Sequence, residues 1–153
     1  KSVMNTRFVE LDTADRCRWQ EGCRHSLGEI LSSGMESQLL CLENLGYPFA
    51  YAEDLIEEYD LGICLDVGHL ALYGLSLPEF TNRCLHKTRV VHLHGCSKGK
   101  DHLPIHNPLP PDYADFMNRL VREDYQGIVT LEVFSERDFQ QSRERIKGWL
   151  EWP

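Results

Sequence analysis

The sequence predicts an α/β fold in which parallel strands alternate with helices. Short apolar runs rich in Val, Ile, Leu and Cys recur along the chain, each too short for a helix, and helix-capping residues stand between them. The runs do not alternate strictly between apolar and polar residues, which is typical of strands covered on both faces by helices. We predict strands at residues 39–42, 61–65, 89–93 and 127–133, and residues 7–11 could add a short one.

Helix starts and stops fill the segments between these strands. A first helix is expected from Asp12 or Thr13 to about Ser33, where Gly34 is the stop signal. Ser76 with Glu79 has the form of a capping box. Further helices are predicted at residues 51–59, from this box to about residue 86, at residues 112–122, and after Ser135 with Ile146, Trp149 and Leu150 on the apolar side.

Residues 95–111 are predicted to form one long loop, because two glycines and four prolines interrupt any regular element there. Loops of this length inside a compact domain are usually functional or mobile. We therefore expect a mobile lid over the functional site.

Chain length limits the architecture. A closed eight-stranded βα barrel typically needs ~250 residues, whereas this chain has 153 and contains four or five recognisable βα units. We expect one partial (β/α) barrel domain over residues 1–153, equivalent to the C-terminal half to two-thirds of a TIM-type barrel, with a smaller open sheet as the alternative. The missing initiator Met suggests a fragment or a trimmed chain.

Composition excludes several classes of protein. The net charge of −8 argues against a broad basic face for nucleic acid. No apolar run approaches the ~20 residues of a membrane span. The six cysteines form no C-x-x-C pair, and nothing indicates secretion. We expect reduced thiols in a cytoplasmic protein.

Four predicted strands end in a potential metal ligand: Glu43, Asp66, His92 and Glu132. Parallel strands bring such positions to one rim of a sheet. Three carboxylates and one imidazole make a mixed oxygen and nitrogen cage for a divalent metal. Taken singly, each residue has an ordinary explanation: a salt-bridged rim glutamate, an aspartate that caps a turn, or a hydrogen-bonded core histidine.

Further polar residues follow the same strands. His69, three residues after Asp66, could bind a second ion or a substrate oxygen. His94 lies on the same side of its strand as His92, so we expect it to support a ligand or to contact substrate. Lys98, Lys100 and His102 in the predicted loop suit an anionic phosphate, although solvated lysines are equally expected in such a loop.

These strand ends resemble the xylose isomerase-like TIM barrel superfamily, which includes sugar-phosphate isomerases and epimerases and the AP endonuclease family 2 enzymes. The similar stretches are Leu42-Glu43-Asn44, Asp66-Val67-Gly68-His69, Val91-His92-Leu93 and Leu131-Glu132. The resemblance implies a TIM barrel whose four strand-end residues hold the metal, with Zn or Mn expected and Mg an alternative.

Within that superfamily the chain looks most similar to the cobamide-remodelling phosphodiesterases, at residues 42–45, 64–70, 92–95, 100–102 and 131–134. This similarity implies hydrolysis of a phosphodiester in the nucleotide loop of a cobamide. The chain departs from the endonucleases at Lys100, which occupies the place of their aspartate two residues before His102.

Three functions follow as hypotheses. The first is a metal-dependent phosphodiesterase in which Glu43, Glu132 and His69 are catalytic. The second is a sugar-phosphate isomerase or epimerase with the same metal cage, in which Glu43 and Glu132 move a proton beside a carbonyl. The third is a non-catalytic partial barrel that forms a homo-oligomer through an open sheet edge. The expected partner is a small phosphorylated or sugar-like substrate, with no nucleic acid and no membrane.

Overall fold

The computed structural model of the protein describes residues 8–105 and 111–149. Helices and strands alternate along these ranges, as the sequence predicts. The helices are α1 (Thr13–Ser32), α2 (Ala50–Tyr59), α3 (Val67–Tyr73), α4 (Leu77–Cys84), α5 (Pro111–Arg122) and α6 (Glu136–Lys147). The strands are β1 (Cys41–Glu43), β2 (Gly62–Asp66), β3 (Thr88–Leu93), β4 (Gly95–Ser97), β5 (Lys100–Leu103) and β6 (Ile128–Leu131).

Four strands form a parallel sheet in the order β1-β2-β3-β6. At least one helix connects each strand to the next strand of the sheet. Parallel neighbouring strands need crossover connections of this kind, and the arrangement confirms the predicted α/β fold of a partial barrel. The first predicted strand begins later than expected, because Ser37–Leu39 forms a 3₁₀ turn before β1.

The core lies against both faces of the central strands. Every residue of β2 is buried, and Leu65 and Val91 have no solvent exposure. Leu55 of α2 and Leu70 of α3 are equally buried, so helices cover the central strands. Fully covered strands need apolar residues at consecutive positions, which explains the absence of alternation in the sequence.

Side-chain caps set the helix starts. The Asp12 carboxylate accepts from the amide of Asp15 at 2.8 Å, and the Ser76 hydroxyl accepts from the amide of Glu79 at 3.3 Å. The short helix α3 was not predicted. It begins directly after β2 because Asp66, the last strand residue, is also the N-cap.

The prediction of a long irregular loop at residues 95–111 is wrong for residues 95–103, which form an antiparallel hairpin of β4 and β5. Lys98 and Gly99 have φ values of 52° and 74°, as the two central residues of a type I′ turn require. The signal was missed because the first turn position holds Lys in place of the usual Asn or Asp. Residues 106–110 of the predicted loop, Arg7 of the possible first strand, and Leu150 lie outside the described residues.

Two further observations concern the cysteines and the helices. All six cysteines are free thiols, as predicted. Among the described residues, no helix is long and apolar enough to cross a membrane.

The last strand leaves apolar side chains uncovered. Ile128 is 65% exposed and Val129 is 41% exposed. Because consecutive strand residues point to opposite faces, both faces of β6 are bare, and β6 is also an edge of the sheet. An exposed apolar edge strand is a template for pairing with another chain.

We predict that the 153-residue chain self-associates through this edge, and that Ile128→Lys reduces the association because a charge blocks apolar edge pairing. Light scattering over a range of concentrations measures the mass. Val9→Lys is the control, since Val9 is also an exposed apolar residue but lies outside any strand. A wild-type monomer at every concentration would contradict the prediction.

Candidate metal centre

The strand register places the four predicted ligands on one face of the sheet. Glu43 pairs with Cys64, two residues before Asp66; Asp66 pairs with His92. His92 in turn pairs with Thr130, two residues before Glu132. Since side chains alternate along a strand, the register sets all four ligands on the same face. They form a diagonal across four staggered strands, the stagger expected of barrel-type sheets.

The four side chains converge. One ligand atom from each of Glu43, Asp66, His92 and Glu132 can be chosen so that all lie within 4.8 Å of one another. Nδ1 of His92 is 3.5 Å from a Glu43 oxygen, 3.9 Å from an Asp66 oxygen and 3.1 Å from a Glu132 oxygen. Ligands that each lie ~2.1 Å from one ion are about 3.0–3.5 Å apart, so most of these separations suit a shared ion.

Buried polar atoms that lack hydrogen-bond partners provide an independent test of whether these residues could hold a metal ion. Within the described residues, Nδ1 of His92, Nδ1 of His69 and Oε2 of Glu132 are buried and have no hydrogen-bond partner. Buried polar atoms without partners are rare and costly. These three lie close to carboxylate oxygens or ring nitrogens without being aligned for hydrogen bonds, as ligands around a cation are. The donor set therefore fits a divalent metal.

Asp66 is the most enclosed member of the cluster, with no solvent exposure. Its backbone N–H donates to the Asn44 side-chain oxygen at 2.7 Å, and the Asn44 amide donates to its carbonyl at 2.8 Å. Oδ1 accepts from the His69 backbone N–H at 2.7 Å and lies 3.0 Å from Nε2 of His94. Oδ2 is the oxygen nearest His92. Asp66 thus caps α3 with one oxygen and faces the cluster with the other.

The surroundings of Asp66 shift its ionisation. Burial alone would raise the pKa of Asp66, but the hydrogen bond and charge of His94 and the contacts of His69 outweigh it, so the pKa lies below its usual value. Burial would lower the pKa of His69, yet the neighbouring Glu43 and Asp66 raise it. The Asp66 carboxylate is therefore ionised at neutral pH, as a metal ligand must be.

Cys64 is a further potential ligand close to the carboxylates. Cys64 Sγ, a Glu43 oxygen and a His92 nitrogen lie within 4.8 Å of one another. Burial raises the pKa of the Cys64 thiol, and the charges of Glu43 and Asp66 raise it further. A protonated thiol is a poor ligand, so the oxygen-rich set with Asp66 is the better candidate.

The β4–β5 hairpin adds polar groups beside the cluster. Asp101 Oδ2 lies 3.8 Å from Nε2 of His69, and its Oδ1 lies 3.3 Å from Nδ1 of His102. Nε2 of His102 is 3.5 Å from a Glu132 oxygen. The ring of His102 is stacked between His94 at 4.4 Å and the exposed Phe134 at 4.7 Å, measured between centroids. His69 and His102 therefore border the cluster on its hairpin side.

The remaining predicted substrate contacts are placed differently. Lys98 and Lys100 are exposed at the hairpin turn, and neither forms an ion pair with any other described residue. His94 has no solvent exposure, so it has no surface open to a substrate. Of its two predicted roles, the structure favours support of a ligand.

Sequence reasoning missed two supporting residues. Asn44 clamps the main chain of Asp66, and Gly68 lies so close to the His94 ring that a Cβ would overlap it. The signals were the Asn directly after Glu43 and the Gly inside Asp66-Val67-Gly68-His69. Without the fold, both had ordinary explanations as turn residues.

Comparison with known proteins gives the family. The chain matches the xylose isomerase-like TIM barrel family over residues 15–152. The chain belongs to this family. That membership confirms the resemblance to the xylose isomerase-like superfamily, and it accounts for the parallel sheet. No curated protein matches the chain.

Two solved structures share this xylose isomerase-like fold. A D-tagatose 3-epimerase-like protein is 24% identical, with a TM-score of 0.58 over 72% of this chain and 46% of its own. The 3-keto-D-glucoside 4-epimerase from E. coli, in its apo form, is 19% identical, with a TM-score of 0.58 over 88% of this chain and 53% of its own. At these identities the likeness shows the fold alone. The chain spans about half the length of both proteins, and neither supports the narrower similarity to cobamide-remodelling phosphodiesterases.

We predict that His92→Ala weakens Mn²⁺ or Zn²⁺ binding by more than about 100-fold. It removes the one nitrogen of the cage, and loss of a direct ligand should exceed the ~10–100-fold that outer partners cost. Isothermal titration calorimetry measures the affinity. His25→Ala, at an exposed position on α1, is the control, and equal affinity in the two variants would refute the cage.

Proposed function

We propose that the protein is a divalent-metal-dependent sugar isomerase or epimerase. One observation carries the proposal: Glu43 and Glu132 come from the two outer strands of the sheet, and an oxygen of each approaches the same ring nitrogen of His92. Two carboxylates that reach one site from the two outer edges of the sheet can serve as base and acid for a substrate carbon held between them. Epimerisation beside a carbonyl needs this pair, because the proton leaves one face and returns to the other.

In this proposal each residue has a defined task. Glu43 or Glu132 takes the proton from the carbon next to the carbonyl, and the other carboxylate returns a proton from the opposite face. Asp66 and His92 hold the metal together with both glutamates. A bound divalent metal would act as a Lewis acid that polarises the substrate oxygens. His69, which is buried beside Glu43, orients a substrate hydroxyl.

The comparisons support a sugar substrate. Both similar structures are named as sugar epimerases, and the family is that of the xylose isomerase-like barrels. The half-buried glutamates and His92 leave one side of the cluster accessible to a small polyol. Mn²⁺ or Zn²⁺ suits three carboxylates and one imidazole, and Mg²⁺ is a further candidate because oxygen ligands dominate. Six free thiols suit a reducing compartment, so a cytoplasmic location is part of the proposal.

A phosphodiesterase is the second candidate. His69, His102 and Asp101 add imidazole and carboxylate groups beside the cage, and phosphoryl-transfer sites often hold two metals ~3.5–4 Å apart. The exposed Lys98 and Lys100 suit an anionic group. A cobamide phosphodiester is the substrate that the sequence resemblance implies, whereas the solved relatives favour the sugar reaction.

We predict that the protein, loaded with Mn²⁺, exchanges a ketose C–H proton with deuterium from D₂O, and that Glu132→Gln lowers the exchange rate by at least ~100-fold. An amide cannot act as base, and general acid–base catalysis typically contributes 10²–10⁴-fold. Proton NMR follows the loss of the signal. Glu136→Gln, on the exposed first turn of α6, is the control.

The same assay decides between the candidates. Absence of exchange with any ketose, together with hydrolysis of a phosphodiester, would reject the isomerase in favour of the phosphodiesterase.

We predict that Lys98→Ala with Lys100→Ala raises KM for a phosphorylated sugar by about 10–100-fold and leaves the unphosphorylated sugar unaffected. Two charge-assisted hydrogen bonds contribute about 1–3 kcal/mol, most strongly at low salt. Steady-state kinetics with the two substrates measures the difference. Lys147→Ala, on an exposed face of α6, is the control, and an unchanged KM for the phosphorylated sugar would remove the lysines from the site.

A further inference from the structure

A buried histidine connects the candidate metal ligand Asp66 to the hairpin. His94 follows β3 and has no solvent exposure. Its Nε2 lies 3.0 Å from Oδ1 and 3.2 Å from Oδ2 of Asp66. Its Nδ1 accepts a hydrogen bond from the backbone N–H of His102 at 3.0 Å. One imidazole therefore contacts the carboxylate on one side and β5 on the other.

These contacts assign the ring tautomer. Nδ1 needs a free lone pair, because the N–H of His102 points at it. The proton is then on Nε2, where it is donated to Asp66. The carbonyl oxygen of Gly95 also lies 3.1 Å from Nδ1, but it could accept only from the other tautomer, in which two N–H groups would face each other.

We propose that His94 is a positioning residue that aims the Asp66 carboxylate at the metal and ties its orientation to the β4–β5 hairpin. The inference rests on the proposed metal-dependent function. His94 acts through Asp66 and touches neither ion nor substrate. The ring N–H of His94 is aligned with Oδ2 at 3.2 Å, and the backbone N–H of His69 donates to Oδ1 at 2.7 Å. Together the two donors fix the plane of the carboxylate, with Oδ2 also facing the cluster 3.9 Å from Nδ1 of His92.

The packing around the ring leaves it no alternative position. Gly68 lies against the ring, and a Cβ there would overlap Cε1, Nδ1 and Nε2. The His102 ring stacks on the other side at 4.4 Å between centroids. The Tyr113 hydroxyl donates to the carbonyl of His94 at 3.1 Å, which anchors the backbone. Both ring faces and both nitrogens are thus engaged.

This arrangement links two parts of the proposed site. His102 has a left-handed backbone, with φ of 52°, which is uncommon for a residue other than glycine. The hydrogen bond to His94 helps to hold that conformation, and the same hairpin carries Asp101 beside His69. Loss of an outer partner of a metal ligand typically weakens metal affinity by ~10–100-fold. We therefore expect substitution of His94 to weaken metal binding, although His94 itself does not contact the ion.

Paired substitutions of His94 separate its two hydrogen bonds. In His94→Gln the side-chain NH₂ can occupy the place of Nε2 and still donate to Asp66, but the bond from His102 is lost. In His94→Asn the side-chain oxygen can occupy the place of Nδ1 and accept from His102, but Asp66 loses its donor. His94→Ala removes both, and His25→Ala is the control.

Isothermal titration of the full chain with Mn²⁺ measures affinity, and thermal unfolding of the metal-free variants measures stability separately. We expect His94→Ala and His94→Asn to bind Mn²⁺ about 10–100-fold more weakly than the wild type, with His94→Gln restored to within about threefold. Equal losses in the Gln and Asn variants would show a packing role and overturn the proposal. Unchanged affinity in His94→Ala would also overturn it.

Gly68→Ala gives a second route if the His94 variants do not fold. It displaces the ring while keeping every polar partner, so the affinity for Mn²⁺ should fall by a similar factor. Unaltered binding in a folded Gly68→Ala protein would overturn the proposal.

A readout without metal distinguishes this inference from the proposed function. Long-range ¹⁵N–¹H NMR of the metal-free wild type should show His94 protonated at Nε2. A proton on Nδ1 would overturn the positioning role even if Mn²⁺ binds. Failure of the wild type to bind any divalent ion, with the expected tautomer present, would instead reject the metal-dependent function, and with it the role of His94 toward an ion.

Discussion

The structure depends on a carboxylate that has no contact with water. Asp66 is ionised and fully buried, and an isolated charge in that position would be prohibitively costly. The carboxylate accepts from the backbone N–H of His69 and from the ring N–H of His94. The side chain of Asn44 donates to the backbone carbonyl of Asp66 and accepts from its N–H. Each donor lies on a different segment, so β1, α3 and the end of β3 must meet at this point.

The sheet stagger then determines what surrounds Asp66. Glu43 is level with Cys64, below Asp66, and Glu132 lies beyond the level of His92. Because the strands of a barrel-type sheet are tilted, this offset along the register brings the four side chains to one place, where their ligand atoms lie within 4.8 Å of one another. The strand order places Glu43 at one outer strand of the sheet and Glu132 directly after the other, as the proposed base and acid require.

The rest of the structure does not hold the four candidate ligands equally firmly. Asp66 and His92 belong to central strands, whose apolar neighbours are buried. Glu132 follows β6, an edge strand with both faces exposed. One backbone bond, from the amide of Glu132 to the carbonyl of Leu93 at 3.0 Å, ties it to the sheet. Because exposed edges open more readily than buried cores, Glu132 is the candidate ligand whose position depends most on what pairs with β6.

The sequence by itself determined the class of fold and the four candidate ligands. Apolar runs with helix caps between them specify βα units, because hydrophobic periodicity and capping act over short distances. Glu43, Asp66, His92 and Glu132 could be named because parallel strands bring their ends together whatever the details of the loops. Only the tertiary structure decided the roles of Asn44, Gly68 and His94. Their significance lies in contacts across 22 to 28 residues of chain, and no local pattern encodes which side chain reaches a buried carboxylate. The hairpin at residues 95–103 was missed for a related reason, since two left-handed residues at Lys98 and Gly99 depend on how the turn packs as well as on which residues occupy it.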